Sequence, residues 1–309
     1  MPENAVKGAV DIILNGKSAG KADVRAAVAQ VRASGKSVTV HVTWEVGDAK
    51  RMAAALARYD EHVVVAAGGD GTVNEVLGGL FVDGPPRARM GIMPLGTAND
   101  FATSAGIPIN NLTAALQLAV SGLPSNVDVG RMNGQCFLNV ASGGFGAEVT
   151  SHTPVAMKNA LGGAAYTLEA MVMAMKPNAR DGRLVTPTQT FEGPLVMFAV
   201  GNGRQAGGGA HMTPAARVND GMLDVMLVPD YEHARTAHLL QNLVRLKVGD
   251  TAGFQYTRCD KLLIESASQF QVNLDGEPMF GKSFAFDVLP SALSLVLGPR
   301  CALLVEAGA

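Results

Sequence analysis

The chain has 309 residues, 48% of them hydrophobic and 17% charged, with a formal net charge of −2. That is material for two packed domains; it argues against a disordered chain and, with Lys and Arg nowhere clustered, against a nucleic-acid binder that neutralises many phosphates. Cys136, Cys259 and Cys301 are odd in number and contain no CxxC pair, so neither a disulfide framework nor a structural zinc site is indicated.

Ala9 to Leu14 predicts a first strand, followed by the loop Asn15-Gly16-Lys17-Ser18-Ala19-Gly20, in which Lys17 is either a solvated lysine or a phosphate contact. A helix from Asp23 to about Ala33, a strand over Ser37 to Thr43 and a helix from Gly47-Asp48 to Tyr59 come next. Thr43 ends its strand on the ligand edge of such a sheet, where its hydroxyl could bond a phosphate, a nucleotide ring or only its own loop.

The next stretch organises the chain. Val63-Val64-Val65-Ala66-Ala67 is an apolar run suited to a strand buried on both faces, Gly68-Gly69-Asp70-Gly71-Thr72 is a glycine-rich turn, and Val73-Asn74-Glu75-Val76-Leu77 has helical spacing. Such a turn offers an anion backbone N–H groups and the positive end of a helix dipole. A tight turn without a ligand would show the same glycines, and the Asp, Thr and Asn packed among them favour a site. After a break at Asp83-Gly84-Pro85-Pro86, Met90 to Met93 predicts a fourth strand. It runs into Pro94-Leu95-Gly96-Thr97-Ala98-Asn99-Asp100-Phe101-Ala102, a second loop of the same design, in which Asn99 and Asp100 are either helix N-caps or site residues. The alternation of strand and helix predicts right-handed crossovers and a parallel sheet.

From about Asn126 the segments shorten and alternate, as in Gln135 to Val140, Leu195 to Val200, Leu223 to Val228, Lys261 to Glu265 and Phe284 to Val288, which reads as an antiparallel sandwich or barrel. A boundary near residue 125 follows, with the last run, Leu293 to Leu297, a candidate to return to the first domain. Leu161 to Met175, apolar and rich in methionine, is either a core helix or an acyl-chain surface. Val218-Asn219-Asp220-Gly221-Met222 is a turn that could also be an oxygen site for Mg²⁺ or Ca²⁺. Phe270 to Leu274 leads into Asp275-Gly276-Glu277-Pro278, a hairpin signal whose two carboxylates could also serve as metal ligand and general base.

Phosphoryl transfer requires backbone donors around phosphates, a cation to neutralise developing charge and a carboxylate to take the acceptor's proton, and the chain contains a candidate for each. It has no GxxxxGK[ST] loop and no HRD or DFG set, so neither the P-loop nor the protein-kinase solution is in use.

Gly68-Gly69-Asp70-Gly71-Thr72-Val73-Asn74-Glu75 followed by Pro94 to Ala102 resembles the catalytic domain of diacylglycerol kinases, sphingosine kinases and bacterial lipid kinases. Leu14 to Ser18, Val42 to Glu45, Gly201 to Gly209 and Asn273 to Pro278 look like the YegS-type lipid kinases in particular. The resemblance implies an amino-terminal Rossmann-like α/β domain similar to NAD kinases, spanning 1–125, and a carboxyl-terminal antiparallel β-sandwich over 126–309. It implies ATP as phosphate donor, contacted by Thr43, Gly69, Asp70, Gly71, Thr72, Val73, Asn74, Glu75 and Thr97, with Asp70 organising Mg²⁺ and phosphates. It implies a structural divalent ion, Mg²⁺ or Ca²⁺, on Asp220 with the carbonyls of Arg217 and Met222, and Glu277 as proton acceptor with Asp275 its rival. The acceptor it implies is a lipid hydroxyl, of phosphatidylglycerol or a diacylglycerol-like lipid. The alternatives are a small-molecule kinase similar to NAD kinases and a nucleotide-binding module without turnover. The cysteine pattern makes the cytoplasm the expected compartment; no apolar stretch reaches the roughly 20 residues that span a bilayer and Met1 to Lys7 carry no signal core, so a soluble protein is expected, with peripheral contact at the inner membrane surface left open.

Overall fold

The computed structural model describes residues 8–60, 62–144, 179–230 and 254–305; the methionine-rich stretch Leu161 to Met175 lies outside them. Two compact units emerge, one of Met1–Val129 with Pro290–Glu306 and one of Gly130–Leu289 with Ala307–Ala309.

In the first unit β1 (Val10–Leu14), β2 (Val38–Val42), β3 (Val63–Gly68) and β4 (Arg89–Pro94) pair in parallel in the order β2-β1-β3-β4. The end of β15 (Glu277–Val296) runs parallel beside β4, with Leu295 opposite Met90. β1 and β3 are buried throughout, which is why their sequences are unbroken apolar runs, whereas edge strand β2 is only partly covered. α1 (Ala22–Ala33) buries Val24, Ala27, Val28 and Val31, one helical stripe. With Leu116, Ala119 and Val120 of α5 (Leu112–Ser121), that stripe packs on the sheet face carrying Val10, Ile12, Leu14, Val63, Val65 and Ala67. Each large aliphatic side chain so buried contributes about 1.5–3 kcal/mol.

α2 (Asp48–Leu56) and α3 (Asp70–Leu80) pack against each other at Gly79, where a Cβ would collide with the Lys50 carbonyl and lie 2.8 Å from the Ala53 methyl. The helix expected to reach Tyr59 stops at Leu56, because the Ala57 carbonyl turns to accept the N–H groups of Arg87 (2.9 Å) and Ala88 (3.2 Å). From β1 the chain passes to β2 on one side and re-enters as β3 on the other. The switch point, where open parallel sheets bind ligands beyond the strands' carboxyl ends, therefore falls between β1 and β3.

The second unit holds the antiparallel strands. β9 (Thr190–Gly201) and β14 (Lys261–Leu274) each pair with β7 (Val140–Gly144) over one part and with β8 (Arg180–Val185) over another, and the β14 register shifts between Glu265 and Phe270. A long strand that changes partner at a bulge turns a corner, as strands of a sandwich do. β5 (Pro124–Met132) follows α5 in the chain, β10 (Gln205–Ala206) pairs with β11 (Ala210–His211), and β12 (Leu223–Pro229) lies between β9 and β13 (Gln255–Cys259). Phe198, Phe270 and Phe284 build the core edge to face, with centroids 6.1 and 5.0 Å apart.

Three expectations change here. Lys261 to Glu265 and Phe270 to Leu274 are one bent strand, Phe284 to Val288 and the last run from Leu293 lie together in β15, and the segment Gln135 to Val140 is two, β6 (Gln135–Phe137) and β7. The break is chemical: the N–H groups of Leu138, Asn139 and Val140 bond the Asp275 carboxylate in place of a neighbouring strand. None of Cys136, Cys259 and Cys301 is joined in a disulfide, and burial pushes the Cys259 thiol up to about 12, which keeps it protonated at neutral pH. Among the described residues no helix is long and apolar enough to cross a membrane.

Candidate active site

The carboxyl edge of the parallel sheet gathers loops that are far apart in sequence. At the switch point the Asn15 side-chain amide donates to Thr72 Oγ1 (3.1 Å), joining the ends of β1 and β3. The Gly16 N–H donates to Thr43 Oγ1 (3.1 Å) and the Thr43 N–H to the Leu14 carbonyl (2.9 Å), joining β1 to β2. Gly16 must lack a side chain, since a Cβ would run into the Thr43 carbonyl oxygen.

The two glycine loops touch. A Cβ on Gly96 would lie 2.6 Å from the Gly69 Cα, and one on Gly69 would lie 3.1 Å from the Gly96 Cα, so only paired glycines allow the approach. The second loop is stapled by Asn99 in the left-handed region (φ 50°): its Oδ1 accepts the Gly96 N–H (3.0 Å) and its Nδ2 donates to the Gly96 carbonyl (2.8 Å). Asp70 ties one loop to the other. It opens α3, and the backbone N–H groups of Phe101, Asn99 and Asp100 donate to its carboxylate at the start of α4 (Asp100–Ser104). Burial nonetheless prevails and raises its pKa above the usual carboxylate value.

α3 begins after Gly69 with no side-chain cap, and its first intrahelical bond runs from Val73 N to Gly69 O (3.1 Å). The N–H groups of the preceding turn are those a helix leaves for an anion. Gly71 is exposed there, and Asn74 Oδ1, one turn on, is buried without a hydrogen-bond partner. Thr97 is exposed on the second loop, Glu75 and Thr43 are half-buried, and Val73 is in the core, so Val73 can offer a ligand only its backbone. These features fit a nucleotide's phosphates. Sequence reasoning missed the side-chain role of Asn15, whose one signal was its place at the end of β1; Asn99, read as either a helix N-cap or a site residue, stands at the N-terminal cap of α4 with its side chain on Gly96 and no side-chain capping bond.

In the second unit Asp275-Gly276 forms the two-residue turn between β14 and β15, with φ of 46° and 101°, the positive values of a type I′ turn. The two acids divide their work. Asp275 accepts from Leu138 N (2.8 Å), Asn139 N (3.2 Å) and Val140 N (2.8 Å), so its oxygens are engaged in holding the turn. Glu277 is exposed.

Asp220 accepts the Met222 N–H (3.1 Å) and forms an ion pair with Arg258, whose Nε is also 3.6 Å from Asp224. Arg217, half-buried, stands on the same turn. Arg258 thus neutralises the charge that a divalent ion on Asp220 would neutralise. The carboxylate chemistry suits such an ion, and the guanidinium competes with it.

Residues 10–132 match the diacylglycerol kinase catalytic domain, and residues 139–297 match the YegS C-terminal NAD kinase beta sandwich-like domain. A Pseudomonas aeruginosa (strain PAO1) protein named "Probable lipid kinase YegS-like" is 42% identical over 300 residues, covering 97% of this chain and 98% of that one. A protein of the same name from Chromohalobacter salexigens is 42% identical over 296 residues, covering 95% and 94%. A solved structure from Bacillus anthracis str. Sterne, provisionally assigned as a diacylglycerol kinase, superposes with a TM-score of 0.81 at 26% identity over 97% of this chain and 99% of that one. The molecule is therefore an enzyme of the kinase class, a catalytic domain followed by a β-sandwich domain. Within that class the chain belongs to the YegS family, whose catalytic domain is that of the diacylglycerol kinases.

Proposed function

We propose that this protein is an ATP- and Mg²⁺-dependent lipid kinase that transfers the γ-phosphate to a hydroxyl of phosphatidylglycerol or a diacylglycerol-like lipid. The supporting observation is the contact of Gly69 with Gly96, which makes one cradle of two loops at the uncapped start of α3. In this reading the first unit is a Rossmann-like nucleotide domain. The backbone from Gly69 to Val73 takes the phosphates, with Thr43, Asn74, Glu75 and Thr97 around the rest of the nucleotide. Asp70 holds the second loop against the first, and its carboxylate would also organise the Mg²⁺ and the phosphates. Mg²⁺ entering with ATP supplies neutralisation of charge on the transferring phosphoryl group.

Glu277 is the base. The acceptor oxygen forms a bond to the γ-phosphorus as its proton passes to the Glu277 carboxylate, and the bridging P–O bond breaks with its electron pair leaving on ADP. An exposed carboxylate then returns the proton to water. Asp275 positions the turn that carries Glu277. A structural Mg²⁺ or Ca²⁺ on Asp220 and the carbonyls of Arg217 and Met222 belongs to the proposal as an exchange for Arg258. It predicts that millimolar Mg²⁺ or Ca²⁺ raises the melting temperature of the wild type and not of Asp220→Asn; a flat wild-type response leaves Arg258 as the permanent partner.

The deciding assay is labelled ATP with Mg²⁺ and a lipid panel. Labelled phosphatidylglycerol or diacylglycerol is expected, and no labelled lipid at any metal concentration would refute the reading. NAD belongs in the panel, because the second domain's family is described as like the β-sandwich of NAD kinases. ATP binding in calorimetry with no labelled acceptor of any kind would instead indicate a nucleotide-binding module.

A further inference from the structure

Directly after Thr43, the chain presents its only tryptophan to solvent: Trp44 is 95% exposed, and Val46 is 96% exposed two residues on. The backbone beneath them is fixed. The buried Asp48 carboxylate accepts the N–H groups of Trp44 (2.8 Å) and Glu45 (3.2 Å) and pairs with Arg51, and the Trp44 N–H contributes most to holding that carboxyl down to about 2. From the other side Thr43 is held through its hydroxyl and its N–H by the β1 loop. A large aromatic ring on a fastened backbone, with no covering partner among the described residues of its own unit, is a preformed contact surface with little further backbone entropy to lose.

Its place in the sheet indicates what it meets. The phosphate cradle lies at the ends of β3 and β4, and Trp44 follows the end of β2, two strand spacings or about 10 Å from β3 along the same carboxyl edge. Resting on the nucleotide reading above, we infer that the indole of Trp44 is the stacking platform for the purine base of the nucleotide, with Thr43 between base and phosphates. A bilayer contact through the same ring is disfavoured by Glu45, an exposed carboxylate between Trp44 and Val46 that would be drawn into the interface with them.

Because the chain has one tryptophan, its emission reports this ring alone. In the full-length protein, ADP or ATP is expected to quench it, whereas inorganic tripolyphosphate, which has no base, is expected to leave it unchanged. Trp44→Ala should raise KM for ATP about tenfold, the order of one base–aromatic stack, leave KM for the lipid unmoved, and be largely rescued by Trp44→Phe. Calorimetry on the same sample separates the two readings. ATP binding without a change in emission overturns the stacking proposal and leaves the nucleotide site standing; no ATP binding overturns both. Equal quenching by tripolyphosphate, or a blue shift on phosphatidylglycerol vesicles with no response to nucleotide, also refutes the stack.

Discussion

Asp275 and Glu277 stand two residues apart and have different surroundings. Three backbone N–H groups engage Asp275 while Glu277 is exposed, so replacing each should damage a different property. Glu277→Gln is expected to lower turnover a hundredfold or more with an unchanged melting temperature, the scale of a lost general base. Asp275→Asn weakens the bonds to Leu138, Asn139 and Val140 and should cost about 1–3 kcal/mol in denaturant unfolding of the second unit. Full turnover in Glu277→Gln would move the base to Asp275. The sequence made the hairpin legible, since Asp-Gly suits a turn with two positive φ values, but not the division of labour. The donors that engage Asp275 come from residues as much as 137 positions away, and no local pattern records such a partner.

The same limit operates on elements. Strand, glycine turn and helix could be read around Asp70 because burial on both faces leaves an apolar run and a helix leaves a periodic one. The second loop could be read as a copy of the first and, on a consecutive strand, as able to converge with it on one site; the close glycine-to-glycine contact itself depends on β3 and β4 being adjacent. The split between β6 and β7 was hidden for the reason that hid Asp275's role, a distant carboxylate replacing a ladder partner. The contact between the loops is testable through Gly96→Ala. A Cβ there meets backbone at 2.6 Å, where no side chain can yield, so the loops must part. ATP affinity measured by calorimetry should fall tenfold or more, and the first unit should lose about 1–3 kcal/mol. Asp70→Ala removes the acceptor at the start of α4 and should cost about 1–2 kcal/mol. Asp70→Asn keeps one oxygen there, should preserve the fold and should abolish transfer; unaltered turnover would remove Asp70's charge from the mechanism.

For the molecule as a whole, buried acids set how stability responds to pH, and they pull in opposite directions. Hydrogen bonds from Trp44, Arg51 and Glu45 lower Asp48, whose contribution is present above the ordinary carboxylate range and lost as pH falls through about 2. Asp224 behaves in reverse. It is fully buried in β12, with Tyr256 Oη donating to Oδ1 (2.8 Å) and no hydrogen-bond partner for Oδ2, and burial raises it from 3.8 to about 6 against the pull of Tyr256 and Arg258. Between those two values the folded protein keeps a proton that the unfolded chain has released. The stability tied to this group is therefore complete below pH 3.8, declines as pH rises towards 6 and is flat above it, an overall loss of about 2–4 kcal/mol. Asp224→Asn cannot titrate, so the wild-type minus variant difference in unfolding free energy, followed by far-ultraviolet circular dichroism between pH 4 and 8, should fall across that window. A difference that does not vary with pH would mean that the Asp224 carboxylate is charged throughout, with Arg258 fully offsetting the cost of its burial. Tyr256→Phe removes the donor to Oδ1 and should move the decline to higher pH, which assigns the titration to Asp224.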